Sequence, residues 1–542
     1  MPSSKPPARV DALVVGAGFA GLYALYCLRK RGFTAHLIEA ADDVGGVWYW
    51  NRYPGARCDV PSLEYSYSFS EALETEWRWS ERFAAQPEIL AYLQHVAAHF
   101  ELRKDISFST NVVSARFDEG QQRWAVTTDR GDTVSAQHCI MATGSLSAER
   151  LPDLPGIAHF AGEVHHTGAW PHRDVDFTGK RVGVIGTGSS GVQAIPMVAA
   201  QAAALTVFQR TPNFVAPARN APLAPDTLAD WQQNFRSQRA LAKRVGTLYE
   251  FSTTRATAVS ADVRALEYQR RWDKGGVNFI HAFCDIMTDM AANDTAAAFV
   301  RDRICEAVTD PVVAAQLCPR DYPIGAKRIC VGSGYYETFN RENVTLVNLR
   351  ETPITGATAD AIVTSAATIP LDVLICATGY DALTGALARI DIIGCNGTRL
   401  ADKWAAGPRN YLGLMSAGFP NLYIITGPGS PSVLVNMVVG IEHHVEWIVD
   451  CIADLSAQNA ATIVPIASDE IKWVQYVNDE ADLTLFPLAN SWYIGANIPG
   501  KPRVFLPFVG GIGRYRDICD RVVRAGYEGF EISPHNRAPE GT

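Results

Sequence analysis

Two glycine-rich turns stand 170 residues apart in this 542-residue chain, and each is followed by a different charge. The first is Gly16-Ala17-Gly18-Phe19-Ala20-Gly21, with Glu39 coming 23 residues after Gly16. The second is Gly186-Thr187-Gly188-Ser189-Ser190-Gly191, with Arg210 coming 24 residues after Gly186. Apolar runs at 10–15 and 181–185 read as buried parallel strands leading into the turns. Helical runs follow at 22–29 and 192–200, then second strands at 35–39 and 205–210. Two complete β-α-β units predict an α/β chain with two Rossmann-like dinucleotide-binding domains. The glycines let backbone approach a pyrophosphate, and each helix N-terminus offers amide donors and partial positive charge. An acid at that distance suits a free ribose hydroxyl, and a base suits a 2′-phosphate. The expected pair is FAD, held non-covalently, and NADPH, so electrons would pass from nicotinamide to flavin to a further acceptor.

Charge and cysteine usage remove several rival classes. A net charge of -9 argues against nucleic acid as the main partner. The apolar N-terminal stretch is the first strand and helix of the first unit. It lacks a cleavage signature and membrane length, so a cytoplasmic protein with no membrane partner is expected. A monomer is the expected state. The eleven cysteines are an odd number, the closest two are 12 residues apart, and no C-x-x-C occurs. A local redox dithiol is therefore not encoded, and most of these thiols are expected in the core. His165-His166 and His443-His444 are adjacent pairs without helical i, i+4 spacing, so no metal site is expected.

The chain order suggests a discontinuous arrangement. Cys139-Ile140-Met141-Ala142-Thr143-Gly144 and Val373-Leu374-Ile375-Cys376-Ala377-Thr378-Gly379 are apolar strands with the same Ala-Thr-Gly ending. Residues 1–144 and 380–542 are read as the FAD domain, and 145–220 with 321–379 as the NADPH domain. Residues 221–320 are read as a helical insertion. Asp310-Pro311 fits a helix cap with proline at the first helical position, and Asn293-Asp294 fits a cap for a helix from Thr295. The ends, 1–8 and 534–542, read as disordered.

Two longer patterns carry a family resemblance. Phe160-Ala161-Gly162-Glu163-Val164-His165-His166-Thr167-Gly168-Ala169-Trp170-Pro171 fits F-x-G-x-x-x-H-x-x-x-W-P. Gly45-Gly46-Val47-Trp48, Tyr53-Pro54-Gly55 and Asp59 fit G-G-x-W-x-x-x-x-Y-P-G-x-x-x-D. By these motifs the chain resembles the Baeyer–Villiger monooxygenases over nearly its whole length, and is similar to their phenylacetone and steroid monooxygenase branch.

The resemblance implies a reaction in which NADPH reduces FAD and the reduced flavin captures dioxygen as a peroxide. That peroxide attacks a ketone and yields an ester or lactone. It also implies roles for individual residues. Gly46, Val47, Trp48 and Asp59 would lie at the flavin, with Asp59 pairing a mobile Arg328. Lys327, Arg210 and Thr211 would hold the 2′-phosphate. Arg328 would stabilise anionic oxygen, a task suited to a side chain charged at every working pH. His166 and Trp170 would couple domain movement to cofactor state. Trp492, in Ser491-Trp492-Tyr493-Ile494-Gly495-Ala496-Asn497, would close over the site on a hinged loop. Ser145, Leu146, Leu434 and Met437 would line the substrate pocket. The phenylacetone branch carries a larger amide side chain where Ser145 stands, so more room is expected there.

Overall fold

In the computed structural model, which describes residues 5–536, the strands fall into two main sheets. Six strands open the first: β1 (Arg9–Val15), β2 (Ala35–Ile38), β3 (Ile106–Ser107), β4 (Val112–Asp118), β5 (Arg123–Thr128) and β6 (Thr133–Met141). The second begins with β7 (Glu163–His166), β8 (Arg181–Ile185) and β9 (Ala204–Gln209). A short parallel pair follows, β10 (Val215–Pro217) with β11 (Cys330–Gly332). β12 (Val344–Asn348) returns to the second sheet, and an antiparallel flap follows, formed by β13 (Ile354–Ala357), β14 (Ala361–Thr364) and β15 (Thr368–Pro370). β16 (Val373–Cys376) completes the second sheet in the order β12-β9-β8-β16-β7, all parallel. The chain then rejoins the first sheet through β17 (Asp391–Ile393) and β18 (Leu422–Ile424), giving the order β17-β4-β5-β6-β1-β2-β3 with β18 beside β6. β6 serves two neighbours on one edge. Its first half pairs antiparallel with β5, and its last three residues pair parallel with β18.

Period-two burial explains why these runs are near-continuously apolar. In β1, Ala12 and Val14 enter one core while Leu13 and Val15 enter another. In β16, Val373 and Ile375 face one core, and Leu374 and Cys376 face the next. A strand covered on both faces needs apolar residues at every position. Helices Phe19–Lys30 and Met437–Ala457 share the core on one face of the first sheet. Helix Ser189–Ala199 covers the second sheet, and the β13–β15 flap closes its other face.

The Ala-Thr-Gly endings have a steric meaning. A Cβ on Gly16 would stand 2.6 Å from Ala142 O, and one on Gly186 would stand 2.4 Å from Ala377 O. Each glycine turn thus presses on the exit of the neighbouring strand, with φ of +104° and +106°. Only glycine meets both demands.

Several sequence readings shift in the structure. Residues 221–320 hold helices Pro225–Val245, Ala261–Lys274, Met290–Ala307 and Pro311–Leu317. Asp310 caps the last of these, accepting from Val312 N and Val313 N at 2.8 and 3.4 Å. The cap expected at Asn293-Asp294 is at Asp289 instead, which accepts from Ala291 N at 2.9 Å. Asn293 is fully buried, and its amide ties Ile286 O to Ile324 O and N. The expectation of disordered ends also fails where it can be read. Ala8 O accepts from Ser135 N, and β20 (Phe530–Pro534) pairs antiparallel with β19 (Ala460–Pro465). Residues 1–4 and 537–542 lie outside the described residues. Seven of the eleven cysteines are buried, as apolar thiols should be. No helix among the described residues is long and apolar enough to cross a membrane.

Candidate active site

The first turn forms an open cradle of backbone. Helix Phe19–Lys30 starts from Gly18, which has no side chain to cap it, so first-turn amides remain for a ligand. The Phe19 ring is committed to the core, 5.2 and 5.1 Å from Tyr65 and Tyr67. Gly46, at φ +56°, faces Gly18 so closely that a Cβ on it would be 2.9 Å from Gly18 Cα. Two backbones therefore meet with no side chain between them, as a pyrophosphate cradle requires. Val47 and Trp48 begin the short helix after Gly46, and Trp48 Nε1 donates to Tyr65 OH at 3.2 Å. Glu39 is buried below the turn and accepts from Ala17 N at 2.5 Å and Ala41 N at 2.8 Å. Burial raises its pKa, opposed by those amides. A Cβ on Gly21 would fall 1.7 Å from Gly16 O. Gly21→Ala is therefore expected to cost at least about 3 kcal/mol and to lose flavin, read by chemical denaturation and by the bound-flavin spectrum.

The second turn repeats this geometry with opposite electrostatics. Ser189, Ser190 and Gly191 open helix Ser189–Ala199. Nothing lies within 4 Å of where a Cβ on Gly188 would stand, so the space before it is clear. Thr187 Oγ1 donates to Thr211 O at 3.1 Å, binding the turn to the strand exit that carries Arg210. Lys327 reaches the same place, its Nζ 4.6 Å from the Tyr322 ring centroid. Burial, then repulsion from Arg210 and Arg350, lowers its pKa to about 8. Arg350 joins the cluster from beyond β12 and pairs with Asp321. Three cations with one acid among them suit a phosphate dianion. Arg350 went unnoticed in the sequence because no spacing links it to Gly186.

Asp59 and Arg328 meet across 269 residues. Arg328 Nε donates to Asp59 Oδ2 at 2.9 Å and Nη2 to Oδ1 at 2.8 Å, a bidentate fork. Nη1 donates to Val433 O at 3.0 Å. Burial alone would lower the guanidinium pKa, but Asp59, Tyr493 and Tyr249 hold it well above the ordinary value. Arg328 is thus a permanently charged group whose side chain is still 28% exposed. Tyr493, Tyr249 and the Val433 carbonyl are partners that the sequence did not single out.

The two long motifs lock the sheets together. Tyr53 OH donates to Gln193 Oε1 at 2.8 Å, and Gln193 Nε2 donates to Arg57 O at 3.0 Å. A Cβ on Gly55 would strike Gln193 O at 2.5 Å, so the loop carrying Asp59 lies flush on the second unit's helix. In the other motif, a Cβ on Gly162 would meet Asp372 O at 2.5 Å, and one on Gly168 would meet the Tyr380 ring at 2.5 Å. Trp170 is buried, and its N–H reaches Trp50 O at 3.2 Å. His166 Nδ1 accepts from Gly168 N at 3.0 Å, which places the ring proton on Nε2. That Nε2 is buried with no acceptor in bonding geometry, and burial lowers the pKa of the ring. Thr167 Oγ1, Ser491 Oγ and Asn497 Oδ1 are likewise buried without partners.

The flavin-binding monooxygenase-like family profile matches residues 9–219. Acetone monooxygenase (methyl acetate-forming) of Gordonia sp. (strain TY-5) is 40% identical over 528 residues, covering 97% of this chain and 99% of its own. A Baeyer–Villiger monooxygenase of Pseudooceanicola batsensis is 42% identical over 95% of both chains. A solved structure of oxidized steroid monooxygenase bound to NADP superposes with a TM-score of 0.93 at 52% identity, covering 97% and 99%. The chain belongs to the Baeyer–Villiger monooxygenases.

This Baeyer–Villiger monooxygenase gathers part of its expected pocket. Leu434, Met437 and Trp492 pack together around buried Val433, Tyr493 and Phe505. Because Val433 O also holds Arg328, this apolar cluster adjoins the fixed cation. Leu146 is not part of the cluster; Ser145 is buried after β6, where its carbonyl accepts from Leu383 N at 2.8 Å. The loop that carries Trp492 is docked. Arg150 Nη1 donates to Asn497 O at 2.5 Å, Asn497 Nδ2 donates to Tyr380 O at 2.8 Å, and Lys501 pairs with Asp381.

Proposed function

We propose that this enzyme uses NADPH and dioxygen to insert one oxygen atom beside a ketone carbonyl, forming an ester or lactone. The observation that carries this reading is the bidentate Asp59–Arg328 pair, anchored through Val433 O to an apolar cluster that includes Leu434, Met437 and Trp492. Bound FAD would take hydride from NADPH and activate dioxygen. Gly16, Gly18, Gly21, Gly46, Val47 and Trp48 form its cradle, with Glu39 for the ribose. Gly186, Thr187, Gly188, Ser189, Ser190 and Gly191 receive NADPH, and Arg210, Thr211, Lys327 and Arg350 meet its 2′-phosphate.

The chemistry asks the protein for one thing above all, a positive charge that does not titrate. Oxygen transfer to a carbonyl builds negative charge on oxygen, and a guanidinium held in place stabilises it without reorganising. Asp59 sets the orientation of Arg328, and Val433 O holds its third nitrogen. Arg328 is thus the catalytic cation, and Asp59 a positioning residue. Trp492, Leu434 and Met437 exclude water and present the ketone, with Ser145 and Leu146 shaping the remaining pocket. His166 and Trp170 tie the cofactor state to the seam between the two units.

Purified FAD-loaded protein with NADPH, air and a panel of linear, cyclic, aryl and steroidal ketones should yield ester or lactone by gas chromatography. NADPH turnover that gives stoichiometric hydrogen peroxide and no ester with any ketone would replace this reading with that of an NADPH oxidase. Asp59→Ala should slow anaerobic flavin reduction and ester formation together without abolishing either, because Arg328 keeps its charge but samples more orientations. Parent-level rates in both measurements would return Asp59 to the role of a loop acid.

A further inference from the structure

We propose that Glu76, His95 and His99 form a binding site for one divalent transition-metal ion of the zinc, nickel or copper class. His95 and His99 are four residues apart on helix Gln86–His99, and its other face is fixed in the core by Ile89, Leu93 and Val96. This is the i, i+4 spacing that the adjacent pairs His165-His166 and His443-His444 lack. Glu76 ends the short helix Glu71–Glu76, and the fold brings it over the same face. Glu76 Oε2 lies 3.6 Å from His95 Nε2 and 3.3 Å from His99 Nδ1. The three candidate ligand atoms all lie within 4.8 Å of one another.

The two separations from Glu76 Oε2 match those around a shared ion. Ligands at about 2.0–2.1 Å from a tetrahedral centre stand roughly 3.3–3.4 Å apart. His95 Nε2 is buried and has no hydrogen-bond partner, although it faces the carboxylate. No lysine or arginine among the described residues pairs with Glu76. The ligand set is two imidazoles and one carboxylate, with the outer side open for water, because the Glu76 side chain is 47% exposed. Such a mixed nitrogen and oxygen set selects borderline ions over magnesium or calcium. Trp77 packs 5.5 Å from the His95 ring, and Phe100 packs 4.6 Å from the His99 ring, limiting ring rotation.

The position gives the ion a structural consequence. Helix Glu71–Glu76 also grips the helical insertion, through Glu74 with Arg239 at 2.6 Å and Glu71 with Arg236 at 2.7 Å. A metal on Glu76 would staple that short helix to Gln86–His99. The insertion helix Pro225–Val245 would thereby be tied more firmly to the first sheet's core. No residue of the oxygenation machinery takes part.

The test uses the FAD-loaded protein, stripped with a chelator that is then removed, and titrated with Zn²⁺ in a calorimeter. One equivalent should bind and raise the unfolding temperature. His95→Asn and His99→Asn should each abolish that equivalent, and Glu76→Gln should weaken it at least about tenfold. Metal-free parent and variants should melt alike, and Glu76→Gln, on an exposed side chain, decides the matter should a histidine variant fail to fold. Cys305 and Cys318, with sulfurs 4.0 Å apart, are the competing ligands, so Cys305→Ser must leave the equivalent in place. An equivalent that persists in the Glu76 and histidine variants, one that disappears in Cys305→Ser, or no binding at all overturns the proposal.

Discussion

Arg328→Ala should lower ester formation by at least about 100- to 1,000-fold, the cost of removing a principal stabiliser of developing oxyanion charge. Flavin should stay bound, because the glycine turn, Glu39 and the Gly46 backbone lie elsewhere in the fold. Asp59 would be left without its guanidinium partner. NADPH should still be consumed, with reducing equivalents appearing as hydrogen peroxide. Arg328→Lys tests charge against geometry: a lysine keeps the charge but cannot form the two-pronged contact to Asp59 while also reaching Val433 O. It should recover only a small part of the activity. Ester formed by Arg328→Ala near the parent rate would remove Arg328 from the chemistry.

The second large effect is cofactor discrimination and its loss at high pH. Arg210→Ala removes a charge-assisted contact worth about 1.5–3 kcal/mol, so the Michaelis constant for NADPH should rise roughly ten- to over a hundredfold, with NADH nearly unchanged. Lys327 adds a pH signature. Its pKa in the free protein is lowered to about 8, first by burial and then by Arg210 and Arg350. A bound phosphate dianion favours the ammonium and raises that pKa. Between about pH 6, where the 2′-phosphate itself gains a proton, and pH 8 the lysine already carries its proton, and NADPH affinity should be flat. Above pH 8 binding must first recruit a proton, so affinity should fall by up to about tenfold per pH unit. NADH has no 2′-phosphate and should not show the fall. Lys327→Ala should weaken NADPH binding and remove this pH dependence. A parallel fall for both cofactors would place the titration elsewhere.

Some of this was legible before any coordinates. Each glycine turn acts through contacts made within about thirty residues: a strand, a tight turn, a helix start and one charge. Backbone sterics and helix electrostatics operate at that range, so the cofactor pair follows from the local pattern. The Asp310-Pro311 cap is equally local and stands where it was expected. The cap at Asn293-Asp294 failed because Asn293 had a stronger use, bridging Ile286 and Ile324 in a site no local rule describes. The β20 strand was missed because its partner β19 lies some seventy residues earlier.

The reactive geometry belongs to the other kind of information. Neither the Asp59–Arg328 fork nor Val433 O as its third anchor follows from spacing, since the contact joins a loop of the first sheet to a segment beside the second. Arg350 joins Arg210 and Lys327 only because β12 lies beside β9. Glu76 meets His95 and His99 only because the short helix folds back over a neighbour. The sequence by itself determined which cofactors the two units are built to hold, because those contacts are short in sequence and steric in origin. Family motifs named Asp59 with Arg328 and Arg210 with Lys327, but only the tertiary structure decided how those charges face one another and that Arg350 and Val433 O join them, because an ion pair's geometry depends on packing between elements that the chain separates by scores to hundreds of residues.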